Sequence, residues 1–259
     1  MDQLTNIKKR KIVQTDFQTD LNLKSVSKKY QKISFQKIEE DLKQPSLLNQ
    51  KLYLHSLQRH LSLIKFEEIM LVITFITAGV LGRVLLQGLP SIEPITFFAI
   101  LAGSLLGWKK GAVTGATSWY LSNFFVFGGQ GPWTIVHVAN GAIAGFLGGM
   151  FLQNLEPKPI HYLKIIIVMT ITTVIFEITI NLMSGLLFYG ILVSFITAIP
   201  FTITHIVSNI AFSFLVPKTR KEIYEKGKIN EKELCKNFIN KLKFLQSRDE
   251  TKDKKPKRL

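Results

Sequence analysis

Polar side chains that could do chemistry recur at helical spacing inside otherwise apolar stretches of this chain. Glu177, Asn181 and Ser184 are four and three residues apart, so on a helix they share one face. Trp133, His137 and Asn140 repeat that spacing, and Thr202, His205 and Asn209 have it in reverse order, three and then four. Arg83 and Gln87 form a one-turn pair, and so do Trp119 and Asn123. A charge or amide in hydrocarbon costs at least about 2–3 kcal/mol, so each of these residues needs a reason to be there. A carboxylate, two imidazoles, amides and indoles suit hydrogen bonding and stacking on a small polar molecule, or the carriage of a proton. Each also has a plainer use. Glu177 can be a structural partner of His137, His205 or Arg83, and the two histidines can bridge helices. Asn140 and Asn209 can pin one helix to the next. Arg83 can snorkel to the interface, and Trp133 can be an ordinary interfacial aromatic.

Motifs for enzymatic or nucleotide chemistry are missing. Met183-Ser184-Gly185 lacks the glycine two residues before the serine that an intramembrane serine protease needs, and Glu67-Glu68 lacks an arginine four residues on. There is no H-E-x-x-H, no G-x-x-x-x-G-K-[ST] and no aspartate pair in an apolar stretch. The single cysteine, Cys235, permits neither a disulfide framework nor a cysteine metal site. This pattern predicts neither an enzyme nor a cofactor or metal centre. Any active transport would draw on an ion gradient or on another subunit.

The elements that must position these residues are membrane helices. Residues 69–216 hold five basic and three acidic residues, whereas the whole chain holds 33 and 18. Most of the +15 net charge therefore lies in the two ends, which suits a cytoplasmic membrane face better than nucleic acid. The apolar runs predict an all-α integral membrane protein, a six-transmembrane-helix bundle with extramembrane basic tails. The spans are read at Ile69–Gln87, Ile92–Trp108, Ala112–Phe127, Trp133–Leu152, Leu163–Ser184 and Phe188–Val216. The second and third read as a tight hairpin turning at Lys109-Lys110-Gly111, or as buried re-entrant segments, and Pro200 predicts a kink or break in the sixth. Residues 1–66 read as a basic cytoplasmic extension ending in an amphipathic helix over about 46–66. That helix rests on the inner leaflet or packs on the protein itself. Residues 67–217 form the membrane domain, and residues 218–259 a basic cytoplasmic tail.

Loop charge sets the orientation. Lys109, Lys110, Lys158, Lys164 and the tails gather on one side and only Arg83 on the other, which predicts a multi-pass protein of the cell membrane with both termini cytoplasmic. Met1–Arg10 is polar, so the first span, not a cleavable signal peptide, directs insertion. With that orientation the polar residues fall in the outer half of the bilayer or at its middle, which describes a cup open to the outside. The ladder Gly141, Gly145, Gly149 reads as close helix packing, and Ala78 with Gly82 as packing or as a contact for a second protein.

Several segments resemble the S components of energy-coupling-factor (ECF) transporters. They are Gly82-Arg83, Leu89-Pro90-Ser91-Ile92-Glu93-Pro94, Gly103-Ser104-Leu105-Leu106-Gly107-Trp108 and Asn123-Phe124 with Gly129-Gln130-Gly131-Pro132-Trp133-Thr134. Pro200-Phe201 with His205 and Asn209 adds to them. The resemblance covers about residues 67–217 and leaves the tails unexplained. It implies a substrate-binding membrane subunit for a vitamin-like micronutrient, driven by a membrane coupling (T) subunit and cytosolic ATPase subunits. The substrate-binding residues would be Arg83, Asn123, Gln130, Trp133, His137, Asn140, Glu177, Asn181 and His205. The family's A-x-x-x-A partner contact would fall on Ala78 and Gly82, with glycine a departure at the second position. The competing readings are an autonomous proton-coupled carrier or channel, and an intramembrane enzyme built on His137, Glu177 and His205.

Overall fold

The computed structural model describes residues 47–153, 159–227 and 229–253. Lys158 and Glu156, the extension before residue 47 and the tail end after residue 253 lie outside the described residues. The described chain is all helical, without strands. One compact unit runs from His60 to Lys236 and contains the membrane helices; the described residues outside it are 47–59 and 237–253.

Helix α1 runs unbroken from Leu47 to Leu86, a run rich in leucine and free of proline. The amphipathic segment read at 46–66 and the first span are therefore one helix, because nothing near Glu67 and Glu68 interrupts the hydrogen-bond ladder. Helix α2 spans Ile95–Leu106 and α3 spans Trp108–Ser122. Their hairpin turns at Gly107 (φ 91°), whose N–H donates to Gly103 O at 2.9 Å. The turn predicted at Lys109-Lys110-Gly111 is corrected by four residues: Gly111 lies inside α3, against α2 and α4. At about 1.5 Å per residue these two helices fall short of a bilayer's ~30 Å. Every residue of α2 except Phe98 is buried, so it forms the middle of the bundle.

Helix α4 is Trp133–Leu152, as the sequence predicts. Helix α5 runs from Pro159 to Ser184 and passes into a π-helical turn, Gly185–Tyr189. Gly190 (φ 79°) ends that turn, and α6 begins at Ile191 and reaches Ser213. Pro200 does not break α6; the helix runs through it, and the interruption falls at Gly190. Helices α7 (Leu215–Lys226) and α8 (Lys232–Asp253) follow, separated by a 3₁₀ turn at Ile229–Glu231. Among the described residues, four stretches are long and apolar enough to cross a membrane: Leu52–Leu86, Trp133–Leu152, Tyr162–Tyr189 and Ile191–Lys226.

Glycines hold α2, α3 and α4 together. A Cβ on Gly103 would overlap Gly145 O, one on Gly115 would overlap Gly141 O, and one on Gly145 would overlap Gly111. Gly148 meets Ile100 and Gly149 meets Trp108 in the same way. The helices thus touch backbone to backbone along the ladder, where no hydrophobic drive assists association within lipid. Around that seam Phe97, Ile100, Leu101, Leu152 and Met169 form the core, which Val216 and Ile229 extend beyond α6.

A second fastening lies at the lysine-rich end. Glu68, 2% exposed, pairs with Lys110 of α3 and with Lys232 at the start of α8, the latter at 2.5 Å. His60 Nε2 lies 2.6 Å from Glu231 Oε2, and Arg220 donates to Gln153 O. Residues 218–236, read from the sequence as tail, are thereby tied to the helices above them.

The seam makes a direct prediction. Gly145→Leu forces a side chain into the Gly111 backbone and lowers thermal stability in detergent by about 3 kcal/mol or more. Gly88→Ala, where an added Cβ meets nothing within 4 Å, leaves the melting temperature unchanged.

Candidate functional site

The polar residues of the apolar stretches converge at one end of the bundle, where α1, α3 and α5 finish and α4 and α6 begin. They form two linked clusters.

Arg83 centres the first. One turn before the end of α1 it is only 9% exposed, so it does not snorkel. Its Nη1 donates to Asn123 Oδ1 at 2.6 Å and to Ser122 Oγ at 2.8 Å, and its Nε lies 3.5 Å from Glu93 Oε1. The guanidinium carbon sits 4.3 Å from the Trp119 ring centroid. A desolvated cation–π contact of this kind stabilises by up to about 2 kcal/mol. Because Arg83 cannot accept, Asn123 must turn Oδ1 towards it. The Asn123 amide nitrogen then faces Thr134 Oγ1 and His137 Nδ1, each at 3.3 Å.

Glu177 centres the second. Its Oε1 lies 2.6 Å from His205 Nδ1, and its Oε2 accepts from Thr202 Oγ1 at 2.8 Å and from Asn181 Nδ2 at 3.3 Å. The carboxylate thus meets a hydroxyl and an imidazole of α6 and an amide one turn along α5. Asn181 also accepts at its carbonyl from Ser194 Oγ of α6, at 2.9 Å. These bonds clamp α5 to α6 across the Gly190 turn.

Aromatic rings join the two clusters. Trp119 stacks on Phe176 (5.0 Å between centroids) and lies 4.6 Å from His137, and the His137 ring stacks on Phe176 at 5.6 Å. Phe176 then meets His205 edge-on at 5.2 Å. A continuous chain therefore leads from half-buried Glu93 through buried Arg83, Trp119 and Phe176 to His205 and Glu177.

The structure gathers Arg83, Asn123, His137, Glu177, Asn181 and His205 into this constellation. Others predicted from the sequence take different places. Gln130 is exposed and shapes its loop, donating to Tyr120 O at 2.9 Å and accepting from Thr134 Oγ1 at 2.8 Å. Trp133 donates from Nε1 to Gly129 O at 3.1 Å and faces Phe188 at 6.4 Å. It belongs to the rim and not to the buried chain. Asn140 donates to Thr179 Oγ1 at 2.7 Å and to Val136 O, and Asn209 donates to Thr173 Oγ1 at 2.8 Å, so both are helix pins. Gly82 faces inward, where a Cβ would stand 2.5 Å from Pro94 Cγ, and Ala78 is partly buried. The exposed strip of α1 runs instead through Ile73, Leu81 and Leu85.

Sequence reasoning missed Ser122, Phe176 and Glu93 as members. Glu93 carried a usable signal, as one of three acids between residues 69 and 216. Phe176 carried none, being one phenylalanine among 19. Among the described residues no group of three His, Cys, Asp or Glu side chains is arranged to hold a metal ion. Among the described residues no hydroxyl stands on His205 Nε2 and none hydrogen-bonds to it. Comparison with known proteins returned no match, whether to protein families, curated proteins or solved structures.

The Glu177–His205 pair sets up a double-mutant cycle. Removing one partner of a buried charged pair costs about 3–5 kcal/mol. Glu177→Gln and His205→Ala should each destabilise the protein, with a coupling of about 1–3 kcal/mol in chemical unfolding. A Gln130→Ala control on the exposed loop should leave stability within about 0.5 kcal/mol.

Proposed function

We propose that this chain is the substrate-binding membrane subunit of an uptake transporter whose ATP-driven motor resides on other chains. One observation carries the reading above the others: buried polar and aromatic groups collect at the end of the bundle that is poor in basic residues. The opposite end carries Lys109, Lys110, Lys164, Arg220 and Lys232. By the charge bias of membrane insertion that lysine-rich end faces the cytoplasm, so the constellation faces outward, where a substrate arrives. On this reading α2 and α3 act as the second and third of six spans, joined as a short hairpin inside the bundle. Both termini are then cytoplasmic and the protein sits in the cell membrane.

The resemblance to ECF S components supports the same assignment through residues at the site itself: Arg83, the Leu89–Pro94 loop, Asn123, the Gly129–Thr134 loop and His205. It supplies the partners, a membrane coupling subunit and cytosolic ATPases, and the substrate class, a vitamin-like micronutrient. A chain without a nucleotide-binding motif needs such partners, or an ion gradient, to concentrate a solute. A second reading, an autonomous proton-coupled carrier, draws on the hydrogen-bonded Glu177–His205 pair, since intramembrane acid–imidazole pairs can exchange protons.

Four measurements test the proposal. Gly88→Cys should label with an impermeant maleimide from outside intact cells, and Lys218→Cys only after lysis; the reverse overturns the orientation. Native Cys235 stays silent in this assay, because it is fully buried and burial, aided by the nearby Glu231 charge, pushes its thiol up. Small-molecule mass spectrometry of the purified protein should release a co-purifying ligand. Ala78→Leu, which spares the inward-facing Gly82, should retain that ligand yet lose uptake in cells and co-purification with a partner membrane subunit. Solute accumulation by the purified chain alone, in proteoliposomes under a proton gradient, overturns the binding-subunit reading in favour of the carrier.

A further inference from the structure

The apolar run read as the third span extends through Phe127, yet α3 ends at Ser122. Residues 123–129 are therefore a non-helical segment that carries Phe124, Phe125 and Phe127. All three are exposed, Phe127 at 87%, and Phe124 meets Tyr120, itself exposed, edge-on at 5.4 Å. An exposed apolar patch of this kind marks a contact with protein or with membrane. Its height in the bundle decides between the two.

Two side-chain ties fix that height. At the lysine-rich end Glu68 of α1 pairs with Lys110 of α3, which brings these residues to nearly one level. Glu68 immediately precedes the apolar run that begins at Ile69, so this level marks the near edge of the hydrocarbon. At the other end Arg83 of α1 donates to Ser122 and Asn123, where α3 finishes. Between the two ties α1 rises about 22 Å and α3 about 18 Å, at about 1.5 Å per residue. A bilayer's hydrocarbon core is about 30 Å thick, so the segment begins roughly 10 Å short of its far edge. Any tilt of the bundle lowers it further.

Irregular backbone at such a depth has to find its partners within the protein, since lipid supplies none. The N–H of Phe124 donates to Leu121 O at 3.2 Å, that of Phe125 to Ser122 O at 2.9 Å, and that of Gly129 to Val126 O at 3.1 Å. The N–H of Phe127 donates to Gln87 Oε1, just past α1, at 3.3 Å. Independently of the binding-subunit reading, we infer that residues 124–127 are a lipid anchor in the leaflet away from the lysine-rich end. Phe124, Phe125 and Phe127 insert there among the acyl chains. Apolar side chains of interfacial segments reach about 5–10 Å below the headgroups, which matches the shortfall of α3. The anchor gives a hairpin too short to span the bilayer a grip on the leaflet that its helices do not cross.

Nitroxide labels at Phe125→Cys and, in a separate variant, Phe127→Cys test this in full-length protein reconstituted into phosphatidylcholine–phosphatidylglycerol vesicles. Native Cys235 is buried and does not compete for the label. A label at Gly88→Cys, in the exposed loop after α1, serves as the reference in water. The ratio of collisions with oxygen, which concentrates in lipid, to collisions with a water-soluble nickel chelate should be several-fold higher at both phenylalanine positions than at the reference. Phe127→Trp keeps an aromatic ring and reads the same property: brominated acyl chains should quench its added fluorescence more strongly than aqueous iodide does. Ratios equal to that of the reference, with quenching by iodide, place the segment in water and overturn the anchor. Labels shielded from oxygen and chelate alike show a protein cover, a second copy or another chain, and overturn it as well.

Discussion

The approach of α2, α3 and α4 to backbone contact is the constraint on which the rest of the structure depends. With Gly103, Gly111, Gly115, Gly141 and Gly145 facing one another, the three helices close to a separation that any side chain would forbid. Dispersion and close fit replace the hydrophobic drive that water would supply. The seam also places the site. A Cβ at Gly141 would stand 2.5 Å from the Trp119 ring, so the absence of one lets that indole lie flat between α3 and α4. Trp119 then offers its surface to Arg83, Phe176 and His137. One run of missing side chains thus sets both the bundle's centre and the aromatic floor of the constellation.

Charge inside the bundle is arranged so that few ions stand alone. Arg83 meets Glu93, amide and hydroxyl oxygens and an indole face, and Glu177 meets a hydroxyl, an amide and an imidazole. Each contact offsets part of a desolvation cost that is large for any ion removed from water. The pairs also choose geometry: Asn123 has only one orientation that serves Arg83, and that orientation fixes what His137 can receive. Polar groups at this end act as a unit, and a substitution at Asn123 reaches both Arg83 and His137.

Much of the helical layout was legible from apolar runs. Trp133–Leu152 stands where the sequence placed it, and the glycine ladder packs within the chain. Turn positions were harder to read, because glycine serves two purposes. Gly107 turns the hairpin by adopting a positive φ, whereas Gly111 removes bulk from a helix interior, and the flanking Lys109 and Lys110 made the wrong one look like a loop. Of the kink or break expected at Pro200, the break falls elsewhere: a proline inside a helix can be carried when its neighbours tolerate the lost bond, and the helix is interrupted at Gly190. At the site, helical spacing found residues that share a face, such as Glu177 with Asn181. It could not find Phe176 or Ser122, whose roles come from neighbours far along the chain.

Glu68 carries a consequence for the order in which the chain is made. Its first lysine partner, Lys110, emerges 42 residues later, and its second, Lys232, only after 164. During synthesis the carboxylate is therefore half-compensated for as long as α4, α5 and α6 are being added. Its full set of contacts closes when α8 begins to appear. A chain cut short before residue 232 would carry every membrane helix and still leave a buried acid short of one cation. The ion triad thus closes only once the chain has been made through residue 232.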